Sequence, residues 1–398
     1  MTIRKDAEVI GLIGLAHSSS HFYQLILAPL FPWLKLEFGF SYAELGFLMT
    51  IFFVISTLTQ AVAGFWVDHS GPLKVLLFGL VSLCVSAIIL SVSNGYLVLL
   101  LGSALAGLGN GVFHPSDYTL INRRVSSARI PHAYSMHGIS GALGWAAAPA
   151  FLVSLTSLFG WRSALLGAAL MVALIVGLLL VRRRTLLGSV EDQAQEKLNK
   201  KQQSAFSISF LKLPAVWLCW GFFFLTALSL GGVQSFASAA LRMLYDLPVA
   251  LSTTAYSTYM LASAGGMFVG GFIAAKAKFP ERVIMWAFIL AGGLSVLISF
   301  VLVSGATVLI LFTLMGFGVG MAGPSRDLMI RQATPKEASG RVFGIVYSGL
   351  DLGLALGPIL FGMLMDWHQE SLVFVMIAVF LWASLLTANR VVSNKQAT

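Results

Sequence analysis

The sequence predicts an all-helical membrane protein of twelve transmembrane helices in two six-helix halves, and three observations carry that prediction. Apolar side chains make up 58% of the 398 residues and charged ones 10%, against roughly 45–50% and about 25% in an average soluble domain. The apolar residues fall into twelve runs of membrane-spanning length, and one polar segment divides those runs six and six.

A hydrocarbon core of roughly 30 Å takes about twenty helical residues, with every backbone group bonded internally. Runs of that length lie near 9–34, 42–66, 74–93, 96–121, 133–158, 163–181, 214–240, 251–275, 283–303, 305–330, 342–365 and 371–389. The first follows Arg4 and Lys5 but is too long for a secretory signal and lacks a small-residue cleavage site, so it is expected to persist as a span. The 39 glycines suit closely packed membrane helices. Cys84 and Cys219 lie inside apolar runs without metal or redox spacing and read as core residues.

A net charge of +9 suggests nucleic acid until the charges are placed. With a cytoplasmic N-terminus, the outward turns hold Lys35, Arg162 and Arg242 of the 25 Lys and Arg, and the other 22 face inward. That asymmetry predicts a cell (inner) membrane protein with both termini cytoplasmic and no nucleic-acid partner. The Arg182 to Lys212 segment is rich in Lys, Arg, Glu and Gln, belongs in water, and marks residues 182–213 as a linker between halves 1–181 and 214–398.

The halves repeat. Gly107, Gly109, Gly111, Pro115, Ser116, Ile121, Leu143, Gly144, Ala146 and Pro149 recur 209 residues later as Gly316, Gly318, Gly320, Pro324, Ser325, Ile330, Leu352, Gly353, Ala355 and Pro358. An unbroken register through a turn argues for duplication, the two-half architecture of secondary transporters with a substrate site near the midplane. The glycine runs before Pro149 and Pro358 read as tight packing, and they resemble the glycine-proline motif of antiporter helices.

The turn after the second run carries Gly64, Asp68, Gly71 and Leu76. Gly71 permits a tight turn, and Asp68 is suited to cap a helix or pair with a cation. This pattern resembles the GxxxDxxGxxxxL signature of the major facilitator superfamily, in which it implies a gating latch. The equivalent turn from Gly270 to Arg282 lacks the Asp. Ser20-His21-Phe22, the turn from Glu37-Phe38 through Ser41 to Gly46, Gln60 to Asp68, and Phe113-His114-Pro115 resemble the fosmidomycin-resistance-like branch of that superfamily. The resemblance implies the major facilitator fold and proton-linked antiport of drug-like or anionic small molecules.

Polar side chains inside spans are costly and each asks for a reason. His17 and His21 are one helical turn apart, with Gln24 on the same face. At about 1.5 Å per residue they lie roughly 12 Å and 18 Å from the inner end, on either side of the midplane. They are the leading candidates for substrate or proton binding, since an ordinary imidazole titrates near pH 6.5; the alternative is bonding to neighbouring helices. Metal ligation is not expected, because no third ligand stands at close spacing. His114, Asp117 and His137 form a candidate inner gate or a polar cap, with Pro115 loosening the helix beside them. Asp351, in a glycine-rich part of the eleventh run, is a candidate proton carrier or a partner of Arg326 or Arg341. Arg326 reads as a gating residue paired with a carboxylate. Tyr347, and with it Tyr256 and Tyr259, is a candidate hydroxyl donor to the cavity.

No HExxH, GxSxG or GxxxxGK[ST] pattern occurs, so neither enzyme nor ATP-driven pump is expected, and no cofactor. The sequence therefore predicts a monomeric secondary transporter of a small organic anion or drug-like solute, proton-coupled and inclined to efflux. Proton-coupled uptake of a small organic acid is the alternative within that class. A channel or sensor is the alternative outside it.

Overall fold

A computed structural model describes residues 3–40, 42–187, 209–333 and 339–396, and every regular element among them is helical. In chain order these are α1 (Ile3–Gln24), α2 (Phe31–Phe38), α3 (Tyr42–Ser70), α4 (Pro72–Ser91), α5 (Tyr96–Asn110), α6 (Phe113–Arg124), α7 (Ile130–Phe159), α8 (Trp161–Val181) and α9 (Arg183–Leu187). They continue as α10 (Pro214–Gly232), α11 (Ser238–Tyr245), α12 (Val249–Lys276), α13 (Pro280–Ser299), α14 (Gly305–Ala333), α15 (Ser339–Asp366) and α16 (Glu370–Gln396). Eleven helical stretches among the described residues are long and apolar enough to cross a membrane. The twelfth, α1, has the length with 22 residues, but its charged start and its Ser18 to Ser20 run make it less apolar. Residues 188–208 of the expected linker, Ser41 of the Glu37 to Gly46 turn, and the side chains of Pro149 and Pro358 lie outside the described residues.

The expected spans differ from the helices at three places, each with a local cause. The first run, 9–34, is not continuous: α1 closes in tight turns, Leu25 N–H to Phe22 O and Ile26 N–H to Tyr23 O, both 3.1 Å. A 3₁₀ turn at Ala28–Leu30 and then α2 follow, each with proline in its first positions, where a missing N–H is tolerated. The fourth run breaks at Gly111 and Val112 into α5 and α6, because the ring of Pro115 collides with the carbonyl one turn earlier. The seventh carries a π turn, Val233–Ala237, between α10 and α11.

The chain forms two compact units, one of Met1–Ala133, Ser140–Phe210 and Pro335–Ser348, the other of Tyr134–Ile139, Leu211–Thr334 and Gly349–Thr398. In the first unit α4 packs on α5 and α8, α3 on α5, and α1 on α8. In the second, α13 packs on α14 and α16, α12 on α14, and α10 on α16. Helix for helix this is the same set of pairings, as the sequence repeat requires.

Glycines make the pairings close. A Cβ at Gly111 would meet Ser56 O at 2.6 Å, and one at its repeat partner Gly320 would collide with Ser263 O. Gly144 lies against Ser18 O in the first unit, and Gly353 would meet Phe224 O at 2.6 Å in the second. Backbones approach this closely only where no side chain stands between them, which is how membrane helices gain dispersion contacts without a hydrophobic drive.

The first unit is also tied by polar contacts at its helix ends. Ser126 Oγ and Arg129 Nε donate to Asp6 Oδ2 at 2.6 and 2.7 Å, and Arg124 Nε donates to Leu186 O of α9 at 3.0 Å. At the end of α2, Glu37 accepts from Trp161 Nε1 at 2.6 Å and from Arg162 at 2.7 Å. The Trp161 N–H, with Arg162 beside it, holds the Glu37 carboxyl below the usual carboxylate range. The clasp joins α2 to the start of α8.

Valine at Gly111 or at Gly320 should destabilise the purified protein by about 1–3 kcal/mol, the cost of overpacking, seen as a lowered melting temperature in detergent. Alanine at Gly177, where nothing lies within 4 Å of the added carbon, should leave stability unchanged or slightly raised. Equal effects at all three positions would remove the close-approach argument.

Candidate functional site

The centre of the first unit holds titratable and amide side chains that a lipid-embedded fold ordinarily excludes. Helices α1, α3, α5 and α6 supply most of them. The 3.6-residue period of α1 sets His17, His21 and Gln24 on one face, and Ser20 stands beside them. The N-terminal part of α6 supplies His114 and Asp117, and α3 supplies Ser56 and Gln60. All are buried, with Asp117 and Gln60 fully enclosed.

Two connected groups of contacts result. In the first, His17 Nδ1 lies 3.0 Å from Asp117 Oδ2. The His17 ring is 4.5 Å from that of His21 and 5.2 Å from that of His114, centroid to centroid. His114 Nδ1–H donates to Gln60 Oε1 at 2.7 Å, and Gln60 Nε2 donates to the Tyr347 carbonyl at 2.8 Å. An amide with its nitrogen committed to a carbonyl offers its oxygen to the imidazole, which assigns the proton to Nδ1 of His114. The Tyr347 ring stacks on His114 at 4.3 Å, and its hydroxyl donates to that of Tyr118.

In the second group Asn110, the last residue of α5, is the hub. Its Oδ1 accepts from Ser20 Oγ at 2.6 Å and from Gln24 Nε2 at 3.4 Å, while its Nδ2 donates to Ser56 Oγ at 2.7 Å. Trp145 Nε1 donates to Gln24 Oε1 at 3.0 Å, and its ring lies 4.2 Å from that of His21. Gly141 lets the His21 ring pass: an added Cβ would sit 2.6 Å from it. Neither ring nitrogen of His21 meets a hydrogen-bond partner of good geometry among the described residues.

The sequence separates His17, His21 and Gln24 from a gate made of His114, Asp117 and His137. The structure instead joins His17, His21, Gln24, His114, Asp117 and Tyr347 in one neighbourhood. The break before Pro115 explains the difference, because it makes α6 a short helix whose N-terminal part holds His114 and Asp117. Asp117 is then about seven residues, or roughly 10 Å, from the Arg124 end of α6, similar to the roughly 12 Å counted for His17. Asn110, Gln60, Ser56 and Trp145 were not singled out as site residues, although a polar side chain inside an apolar run is itself a signal.

Asp68 stands at the end of α3 in the same unit, before Gly71 at φ 92°. Its carboxylate accepts from Arg341 Nε at 2.8 Å and from the Arg341 backbone N–H. It therefore pairs with a cation and caps the first turn of α15 together. The Arg341 guanidinium lies 6.0 Å from the Phe65 ring and 5.8 Å from that of Phe210.

His137, Arg326 and Asp351 belong to the second unit. His137 is buried on α7 and Asp351 is fully enclosed on α15. Beside Asp351, Gly349 and Gly353 bring α15 against the Trp220 and Phe224 carbonyls of α10. Arg326 Nε donates to Asp327 Oδ1 at 2.9 Å, and its guanidinium covers the Phe223 ring at 4.7 Å. Tyr259 packs on Phe312 at 5.0 Å. A hollow of about 620 Å³ in the first unit, between α1, α7 and α8, is walled by Leu15, Phe22, Leu143, Phe151 and Leu170 among others. It offers a solute apolar surface and no titratable group, so the polar cluster is the better candidate.

Comparison with known proteins agrees with this architecture. The profile of the Major Facilitator Superfamily matches residues 13–325 and, in a second match, 257–396. The fosmidomycin resistance protein of Escherichia coli (strain K12) is 22% identical over 389 residues, covering 96% of this chain and 93% of the relative. The proton:xylose symporter XylE superposes with a TM-score of 0.78 at 12% identity, over 97% of this chain and 95% of its own. The human organic anion transporter MFSD10 does so with a TM-score of 0.75 at 15% identity, over 96% and 99%.

Proposed function

Because the chain belongs to the major facilitator superfamily and is a multi-pass membrane transporter of small solutes, we propose that it exchanges protons for a small organic anion or drug-like solute, moving the solute outward by alternating access. The observation that carries this reading is the buried His17 and Asp117 pair with His21 and His114 around it. An ionised carboxylate or imidazolium enclosed in a membrane protein is costly unless paired or hydrated. A cluster of this kind therefore holds a proton in one conformation and exchanges it for an anionic or polar solute in another, which is what coupling requires.

His17, His21, Gln24 and Tyr347 bind solute or proton in this reading, with His114 and Asp117 as the adjoining gate. Asp351 carries a proton in the second half and Arg326 serves that half's gate, while His137, from the first sequence half, serves the inner gate with His114 and Asp117. The Asp68 and Arg341 pair is the latch: Asp68 comes from the first sequence half and Arg341 from the second, so breaking this ion pair releases one conformation. Outward movement of a drug-like solute is supported by the name of the Escherichia coli relative, and an anionic one by that of MFSD10. Residues 1–181 and 214–398 act as the moving halves, joined by 182–213.

Reconstituted in liposomes, the wild-type protein should transport labelled fosmidomycin or a related organic anion faster with a pH gradient than without one. His17→Ala or His21→Ala should abolish the gradient-driven part, Asp351→Asn should keep substrate binding but flatten its pH dependence, and Asp68→Asn should slow turnover while expression stays near normal. Wild-type, pH-dependent transport in all the variants would overturn the site assignment.

The distribution of Lys and Arg also supports an inner-membrane location with both termini inside. Reporter fusions in the Arg182 to Lys212 segment should read as cytoplasmic, and a periplasmic readout would reverse the orientation.

A further inference from the structure

We propose that His17, His21 and His114 form a binding site for a divalent transition-metal ion of the zinc class, with Asp117 as its charge partner. Each histidine offers one ring nitrogen, and the three lie within 4.8 Å of one another. A tetrahedral zinc ion with Zn–N bonds of about 2.0–2.1 Å holds its ligand nitrogens roughly 3.4 Å apart, so side-chain adjustment of an ångström or so closes the site. The third ligand, not evident from spacing along the chain, comes from α6.

The surroundings have the chemistry of a metal site. Ligating histidines ordinarily use one ring nitrogen for the metal and donate the other N–H to an oxygen that fixes the tautomer. His114 Nδ1 donates to Gln60 Oε1 at 2.7 Å, which leaves its Nε2 for the ion, and the Asp117 carboxylate lies 3.0 Å from His17 Nδ1 as its charge partner. The Asp117 carboxylate offsets part of the dication's charge where burial makes charge costly. The third ring, His21, is buried with neither nitrogen in a good hydrogen bond among the described residues. Imidazoles select zinc, nickel, cobalt or copper over magnesium or calcium, which prefer oxygen ligands.

The binding claim stands on this geometry. Its consequence, that the ion occupies the cluster in place of protons and arrests transport, rests on the function proposed above. The two are tested separately, because gradient-driven transport is measured with a chelator present and metal binding without a gradient.

Purified protein free of any polyhistidine tag is titrated with Zn²⁺ in detergent, with Mg²⁺ in parallel. Zn²⁺ should bind with one-site stoichiometry and raise the melting temperature, Mg²⁺ should do neither, and His21→Asn or His114→Asn should weaken Zn²⁺ binding at least tenfold. Trp145, whose ring lies 4.2 Å from that of His21, supplies a readout that leaves every ligand in place: Co²⁺ should quench tryptophan fluorescence saturably in the wild type, with most of that quenching lost in Trp145→Phe. Zn²⁺ binding that is absent, is matched by Mg²⁺ or persists unchanged in the histidine variants would overturn the site, as would Co²⁺ quenching that is unsaturable or unaffected by Trp145→Phe.

Discussion

Asp117 is a carboxylate with no exposed surface, set where apolar side chains and lipid leave water little access, and polar side chains of neighbouring helices gather around it. Burying a polar group without a partner costs on the order of 1–3 kcal/mol by mutational measures, and an ionised one several times more. That cost is met by polar faces on α1, α3 and α6, and by Asn110 at the one place where the α5 and α6 backbone is broken. A cluster that serves packing alone would be replaced by apolar side chains at little or no loss of stability. Three imidazoles and a carboxylate kept together at that cost are the chemical basis for reading the cluster as functional.

The duplicated scaffold makes the same point by contrast. Packing survives in both halves: Gly111 and Gly320, and Gly144 and Gly353, press on equivalent neighbouring backbones. The chemistry does not. His114 corresponds to Gly323, Asp117 to Arg326 and Tyr118 to Asp327, and Arg326 is paired with Asp327 on its own helix. The shared helix pairings fix where backbones run, while the side chains that differ give each half its own chemistry.

The fold was legible in the sequence because its causes are local or periodic. Run length gave the spans, the 209-residue register gave the duplication, and Gly71 with Asp68 gave the turn after α3. The interruption after α1 was missed because hydropathy runs straight through Leu25 to Leu30, whereas the chain obeys the prolines at 29 and 32. The candidate site was legible in part. His17, His21 and Gln24 share a face of one helix, which the helical period reveals. That His114 comes within 5.2 Å of His17, centroid to centroid, depends on contact between helices about a hundred residues apart, and no local pattern encodes it. Asn110 and Gln60 were visible as polar residues in apolar runs, but their role as partners of Ser20, Gln24 and His114 exists only in three dimensions.

If the polar cluster of the first unit exchanges protons and solute as proposed, it opens to water during a transport cycle, and thiol accessibility tests this without knowledge of the solute. Ser20, bonded to Asn110 within the cluster, and Ser86, bonded to the Gly102 carbonyl between α4 and α5, are both buried. Each is replaced by cysteine in a background where Cys84 and Cys219 are alanine, and the rate of reaction with a small charged thiol reagent is measured in membranes. Ser20→Cys should be modified, at a rate that changes with external pH, while Ser86→Cys stays unreactive. Equal inertness at the two positions would make the cluster sealed packing and contradict the proposal.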